Sequence, residues 1–105
     1  MSDAEASRLI LERRPAFGKA RFRLLMFYER ENNWDRILEL SREGVKHNPE
    51  DGIYQFFYGE SLIRNRQTEE GIALFRQCAR FNLPQTIREH IDTVLKTYEE
   101  QKAKP

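Results

Sequence analysis

A single cysteine, Cys78, stands in the 105 residues, so no disulfide can form within the chain and a bridge-stapled secreted scaffold is excluded. Long apolar runs are missing too. No segment approaches the roughly eighteen apolar residues of a spanning helix, and the opening MSDAEASRLILERRP has no apolar stretch of signal-peptide length behind a basic start. Cytoplasmic localisation without membrane insertion is the expectation. Neither sign of charge dominates, because 18 lysines and arginines face 17 aspartates and glutamates, so overall charge points to no nucleic acid or lipid surface.

Catalytic material is equally thin. His47 and His90 are the only histidines, neither in an H-E-x-x-H nor in a cysteine–histidine metal spacing, and each falls near a predicted helix end where a solvated role suffices. Cys78, beside Phe75 and Ala79 on an apolar stripe, reads as a small core residue rather than a nucleophile. There is no G-x-S-x-G and no phosphate-cradling glycine loop, and Glu69-Glu70 is accounted for as favourable charge at a helix N-terminus. The sequence predicts no catalytic residue, no metal, no cofactor and no enzyme.

What is present is a period. Pro15, Pro49 and Pro84 lie 34 and 35 residues apart with no proline between them. Within each interval the chain reads as a helix, a short polar break and a second helix: AFGKARFRLLMFYERE, then WDRILELSREGVKH; GIYQFFYGESLIRN, then EEGIALFRQCARFN. Tyr54, Tyr58 and Leu62 before the second break, and Ile72, Phe75 and Ala79 after it, fall at helical spacing. Asn33 and Thr68 are the predicted N-caps of the two second helices. After Pro84, Ile87, Ile91, Val94, Leu95 and Tyr98 make one apolar stripe, with Thr86 and Glu89 spaced as a capping box. Before Pro15, DAEASRLILERR has Ala6, Leu9, Ile10 and Arg13 at helical spacing, with Ser2 and Glu5 as a second box. The fold class expected is all-α, a single domain of about six helices: an N-terminal helix in 1–14, one repeat in 16–49, another in 50–84 and a capping helix in 85–101, with the last residues frayed. No strand signal appears.

Gly59 and Gly71 sit inside two of these helices, where each costs roughly 1 kcal/mol relative to alanine. The second repeat carries Tyr58-Gly59-x2-Leu62, then Gly71-x3-Phe75, then Pro84, which resembles the tetratricopeptide repeat, W-x2-L-G-x2-Y, A-x3-F and P over about 34 residues. The first repeat matches less fully, with Leu24-Leu25-x2-Tyr28, Ile37-x3-Ser41 and Pro49; bulk at Leu25 and Ile37 stands against a small Ser41. The resemblance spans residues 18 to 84. It implies a short solenoid of antiparallel helical hairpins in which Gly59 and Gly71 let paired helices approach closely. TEEGIALFRQCARFNLPQ is also similar to the pentatricopeptide repeat, a reader of single-stranded RNA, whereas KHNPED looks more like the tetratricopeptide turn.

The same resemblance implies a concave groove lined by the first helix of each repeat. It would present Lys19, Phe22, Arg23, Met26 and Glu29 from the first repeat and Ile53, Phe56, Glu60 and Ile63 from the second. This set is apolar and lacks the lysine and asparagine of the family's carboxylate clamps, so the expected ligand is an apolar peptide or an amphipathic helix of a protein partner. The expected function is that of an adaptor or scaffold, with a homodimer possible. The alternative is nucleic-acid binding through a basic cluster, Arg8, Arg13, Arg14, Lys19, Arg21 and Arg23 against Glu12 alone, a segment charge of +5. A solvated face or an acidic partner explains that cluster more simply, and nucleic acid is not the expected partner.

Overall fold

A computed structural model describes residues 2–104 as six α-helices: α1 (Asp3–Arg13), α2 (Gly18–Arg30), α3 (Trp34–His47), α4 (Gly52–Arg64), α5 (Thr68–Gln77) and α6 (Gln85–Ala103), with no strand among the described residues. The principal packing is between consecutive helices, and the molecule measures 53 × 25 × 21 Å. Its backbone repeats. Helix α4 begins and ends 34 residues after α2, and α5 begins 34 residues after α3.

The connections repeat with the helices. After α2 the chain turns through Asn32, a left-handed residue with φ 56°, and the N–H groups of Asn32 and Asn33 bond back to the carbonyls of Glu29 and Tyr28. After α4 the same turn recurs at Arg66, φ 64°, with Arg66 and Gln67 bonding back to Ile63 and Leu62. Both are Schellman terminations, which satisfy the last carbonyls of a helix by placing one residue in the left-handed region. Asparagine tolerates that region and arginine does not. Replacing Arg66 by glycine is therefore expected to raise stability by about 0.5–1 kcal/mol, read as a higher urea midpoint, and a lower midpoint would contradict the strain argument.

Helix starts follow local chemistry where a short polar side chain precedes them. Ser2 Oγ accepts the Glu5 N–H (3.2 Å), the Asn33 carboxamide accepts the Arg36 N–H (3.2 Å) and the Asp51 carboxylate accepts the Ile53 N–H (3.2 Å). Two expected caps are corrected. Thr68 is the first residue of α5 and Gln67 occupies the cap position without a side-chain bond. Thr86 lies inside α6, which starts one residue earlier behind Pro84, so no capping box forms and Glu89 instead accepts from Gln85 (2.9 Å). Helix α5 stops at Gln77 and tightens into a 3-10 turn over Cys78–Arg80, which leaves Ala79 exposed rather than on the apolar stripe. That tightening is also where the proline spacing lengthens from 34 to 35 residues. At the C-terminus, Gln101, Lys102 and Ala103 remain helical rather than frayed, and the Lys102 ammonium lies over the Tyr98 ring (5.3 Å).

The core runs through Leu25, Ile37, Tyr54, Phe57, Phe75, Leu83 and Ile91. In the first repeat Leu25, Ile37 and Ser41 are all fully buried, and the Ser41 hydroxyl donates to the Ile37 carbonyl (2.6 Å). In the second, a Cβ on Gly71 would lie 2.6 Å from the Gly59 carbonyl oxygen, and one on Gly59 would lie 3.2 Å from the Gly71 carbonyl oxygen and 2.8 Å from the Phe75 ring. Each glycine backbone is thus the surface on which the other helix rests. Tyr54 ties the two repeats together: its ring occupies the space a Gly44 side chain would need, and its hydroxyl donates to the Gly18 carbonyl (2.9 Å).

Candidate functional site

The N-terminal halves of α2 and α4 and the α5–α6 connection enclose an open depression. Phe22, Ile53, Gly52, Phe81, Leu83 and Pro84 line one part of it, with Glu50 and Asp51 at the edge, and its volume of about 670 Å³ is in the range of ligand clefts. A second depression of about 540 Å³ continues on the other side of Phe22, between Lys19, Arg23, Asn48, Glu50, Asp51 and Tyr54. Phe22 is the ridge between them, and its ring is 43% exposed. The floor is built by close packing. Gly52 has no side chain, so the Phe81 ring sits directly on the start of α4.

Of the residues expected in a groove, Lys19, Phe22, Arg23 and Glu29 are exposed on α2, and Met26 and Ile53 are half-buried against the core. The other three are corrected. Phe56 is only 8% exposed: it stacks on Phe75 (centroids 5.7 Å, 14°) and meets Phe57 (5.1 Å) and the His90 ring (5.9 Å) in edge-on, T-shaped contacts. The physical reason is α6, which lands over the junction of α4 and α5 and closes this part of the face. Glu60 is buried by the same contact, accepting from Arg64 (3.0 Å) and pairing with His90 (2.8 Å). Ile63 is half-buried and points at α5, since a Cβ on Gly71 would lie 2.6 Å from its side chain. Sequence reasoning missed Phe81, Leu83 and Pro84 because they lie in a connection, outside any helical stripe. Two apolar residues around Asn82, followed by a proline, were the available signal.

One member of the basic cluster, Arg21, is withdrawn from solvent. One of its guanidinium nitrogens donates to the Asn48 side chain (3.1 Å), its charge lies 6.0 Å from the Tyr54 ring, and burial lowers its pKa. Arg8 donates to the Tyr28 hydroxyl (3.3 Å) and Arg14 lies over the Phe17 ring (4.7 Å). Arg8 and Arg14 are nonetheless exposed, as are Arg13, Lys19 and Arg23. Cys78 is buried and its thiol is pushed up to about 11 by that burial, which keeps it protonated and a poor nucleophile at neutral pH. His47 pairs with Glu43 on α3 (3.4 Å). Among the described residues no group of three or more histidine, cysteine, aspartate or glutamate side chains is placed to hold a metal ion, and no helix is long and apolar enough to cross a membrane.

Comparison of the chain with protein-family models, with curated proteins and with solved structures returns no match.

Proposed function

We propose that the chain is a tetratricopeptide-like solenoid of two antiparallel helical hairpins, α2 with α3 and α4 with α5, preceded by α1 and capped by α6. Its role is that of a non-catalytic adaptor in the cytoplasm, holding an apolar peptide or one face of an amphipathic helix from a protein partner. The repeat reading is supported by the 34-residue recurrence of helix bounds and Schellman turns. The connections before α2 and α4 recur likewise, Arg14 and Phe17 bonding to Ile10 and Arg14 as Asn48 and Asp51 do to Gly44 and Asn48.

The adaptor reading rests on one observation: Phe22, an exposed aromatic side chain, stands between two open depressions with Ile53, Phe81 and Pro84 beside it. An aromatic ring held up by a rigid helix beside apolar concavities fits an anchor for a partner's side chains, because such rings add large contact area at small entropy loss. The binding surface is shorter than a groove running the length of α2 and α4, since α6 covers Phe56 and Glu60. It ends at the α5–α6 connection.

The test is a selection of displayed peptides of about 15 residues against the chain, followed by titration of the retained sequences against Phe22→Ala. Binding is expected to weaken about tenfold or more, with helix content unchanged and stability within about 0.5 kcal/mol, because Phe22 contributes little to the core. Retained peptides indifferent to Phe22 would refute this placement of the site.

A further inference from the structure

Among the described residues, the large apolar side chains exposed away from the depression around Phe22 lie on helix α1. Its inner stripe consists of buried Ser7 with half-buried Ala4 and Leu11, and it packs chiefly on α2. On the outer side Leu9 is 47% and Ile10 36% exposed. Charge is zoned along that side, with Asp3 in the first turn and Arg13 in the last. Asp3, Ala6, Ile10 and Arg13 follow one another at the i, i+3, i+7, i+10 spacing that keeps a stripe facing a partner helix.

We propose that two copies of the chain associate through this face, α1 lying antiparallel across the partner's α1 about a two-fold axis near residue 8. In that register Asp3 faces the partner's Arg13 and Ala6 faces the partner's Ile10, and the symmetry makes each contact twice. A parallel arrangement would oppose Asp3 to the partner's Asp3 and Arg13 to the partner's Arg13. Charge zoning therefore selects the antiparallel one. The remaining charges do not oppose it: Arg8 bonds to Tyr28 of α2, Arg14 lies over Phe17, and exposed Glu5 and Glu12 fall, at helical spacing, on the side of α1 away from the Asp3–Arg13 stripe. Ala6, small and half-buried, lets the partner's Ile10 approach closely. The contact is independent of the Phe22 site, and two helices of 11 residues bury less than a standard interface, so the dimer is weak and reversible.

Sedimentation equilibrium on the full chain, from about 10 µM to 1 mM, tests this. The wild type is expected to shift from monomer to dimer across that range, and Ile10→Asp to raise the dissociation constant at least tenfold, on the order of the loss of one well-placed apolar contact. Asp3→Arg and Arg13→Asp should each weaken self-association similarly. An equimolar mixture of those two variants should restore association to within about threefold of wild type, since it re-forms both opposite-charge contacts. Both single variants also oppose the helix dipole of α1, but the mixture contains the same weakened helices, so recovery on mixing reports the interface alone. A wild type that stays monomeric, a dimer insensitive to Ile10→Asp, or a mixture no tighter than its components would each overturn the proposal.

Discussion

Gly71→Leu is expected to lower unfolding stability by about 3 kcal/mol, although leucine is the better helix former by nearly 1 kcal/mol. A side chain there has nowhere to go. The Gly59 carbonyl oxygen lies 2.6 Å from the first added carbon and the Ile63 N–H nitrogen 3.1 Å, and both belong to the backbone of α4. Relief requires α5 to move off α4, which removes contacts along the whole pair rather than at one point. Gly59→Ala is expected to be milder than Gly71→Ala, because its nearest backbone obstacle, the Gly71 carbonyl oxygen, lies at 3.2 Å rather than 2.6 Å and its closest contacts, at 2.8 and 2.9 Å, are side-chain atoms of Phe75. Urea denaturation followed by circular dichroism measures the order. A rise in midpoint for Gly71→Leu, or Gly59→Ala proving the worse of the alanines, would show that backbone contact is not what limits this interface.

Phe56→Ala is expected to cost about 3–5 kcal/mol, a large part of the 5–15 kcal/mol typical of a domain. The ring is enclosed by Phe57, Phe75 and His90, so truncation leaves a cavity bounded by three helices' worth of fixed side chains. Collapse into it is restricted, because Phe75 is already held against Gly59 and His90 is tied to Glu60 at 2.8 Å. The docking of α6 should loosen most, since His90 loses the ring it packs against. Hydrogen exchange of α6 amides alongside the urea midpoint separates this outcome from a surface role. If Phe56→Ala were to leave stability within about 1 kcal/mol and α6 protection unchanged, the ring would not be part of the core.

The contrast between Phe22 and Phe56 shows where sequence reasoning ended. Both fall at corresponding places on first helices 34 residues apart, and helical spacing assigns them the same face. Which of them meets water is decided by α6, whose landing place depends on the 3-10 turn at Cys78–Arg80 and on His90 finding Glu60. No spacing within α4 carries that information. Features settled by near neighbours were legible: the all-helical class, the Asn33 cap, the apolar stripe of α6 and the turn positions after α2 and α4. The expected caps lie one residue (Thr68, against Gln67) and two residues (Thr86, against Pro84) past the observed cap positions, shifts that alternative chain entries of nearly equal energy readily produce. Arg21 read as one more surface cation because nothing local announces that Asn48 and Tyr54, from the next connection and helix, close over it.

Packing between consecutive helices also bears on how the chain reaches its structure. The partners that must meet are close in sequence; even the Tyr54–Gly18 bond that joins the repeats spans 36 residues, so little loop-closure entropy is lost before contacts form. Low contact order of this kind goes with folding in microseconds to milliseconds. The α3–α4–α5 block, with the interlocked glycines and the Tyr54 ring at its centre, is expected to form first. Helix α6, docked on one edge of that block, is expected to add later and to show the weaker hydrogen-exchange protection.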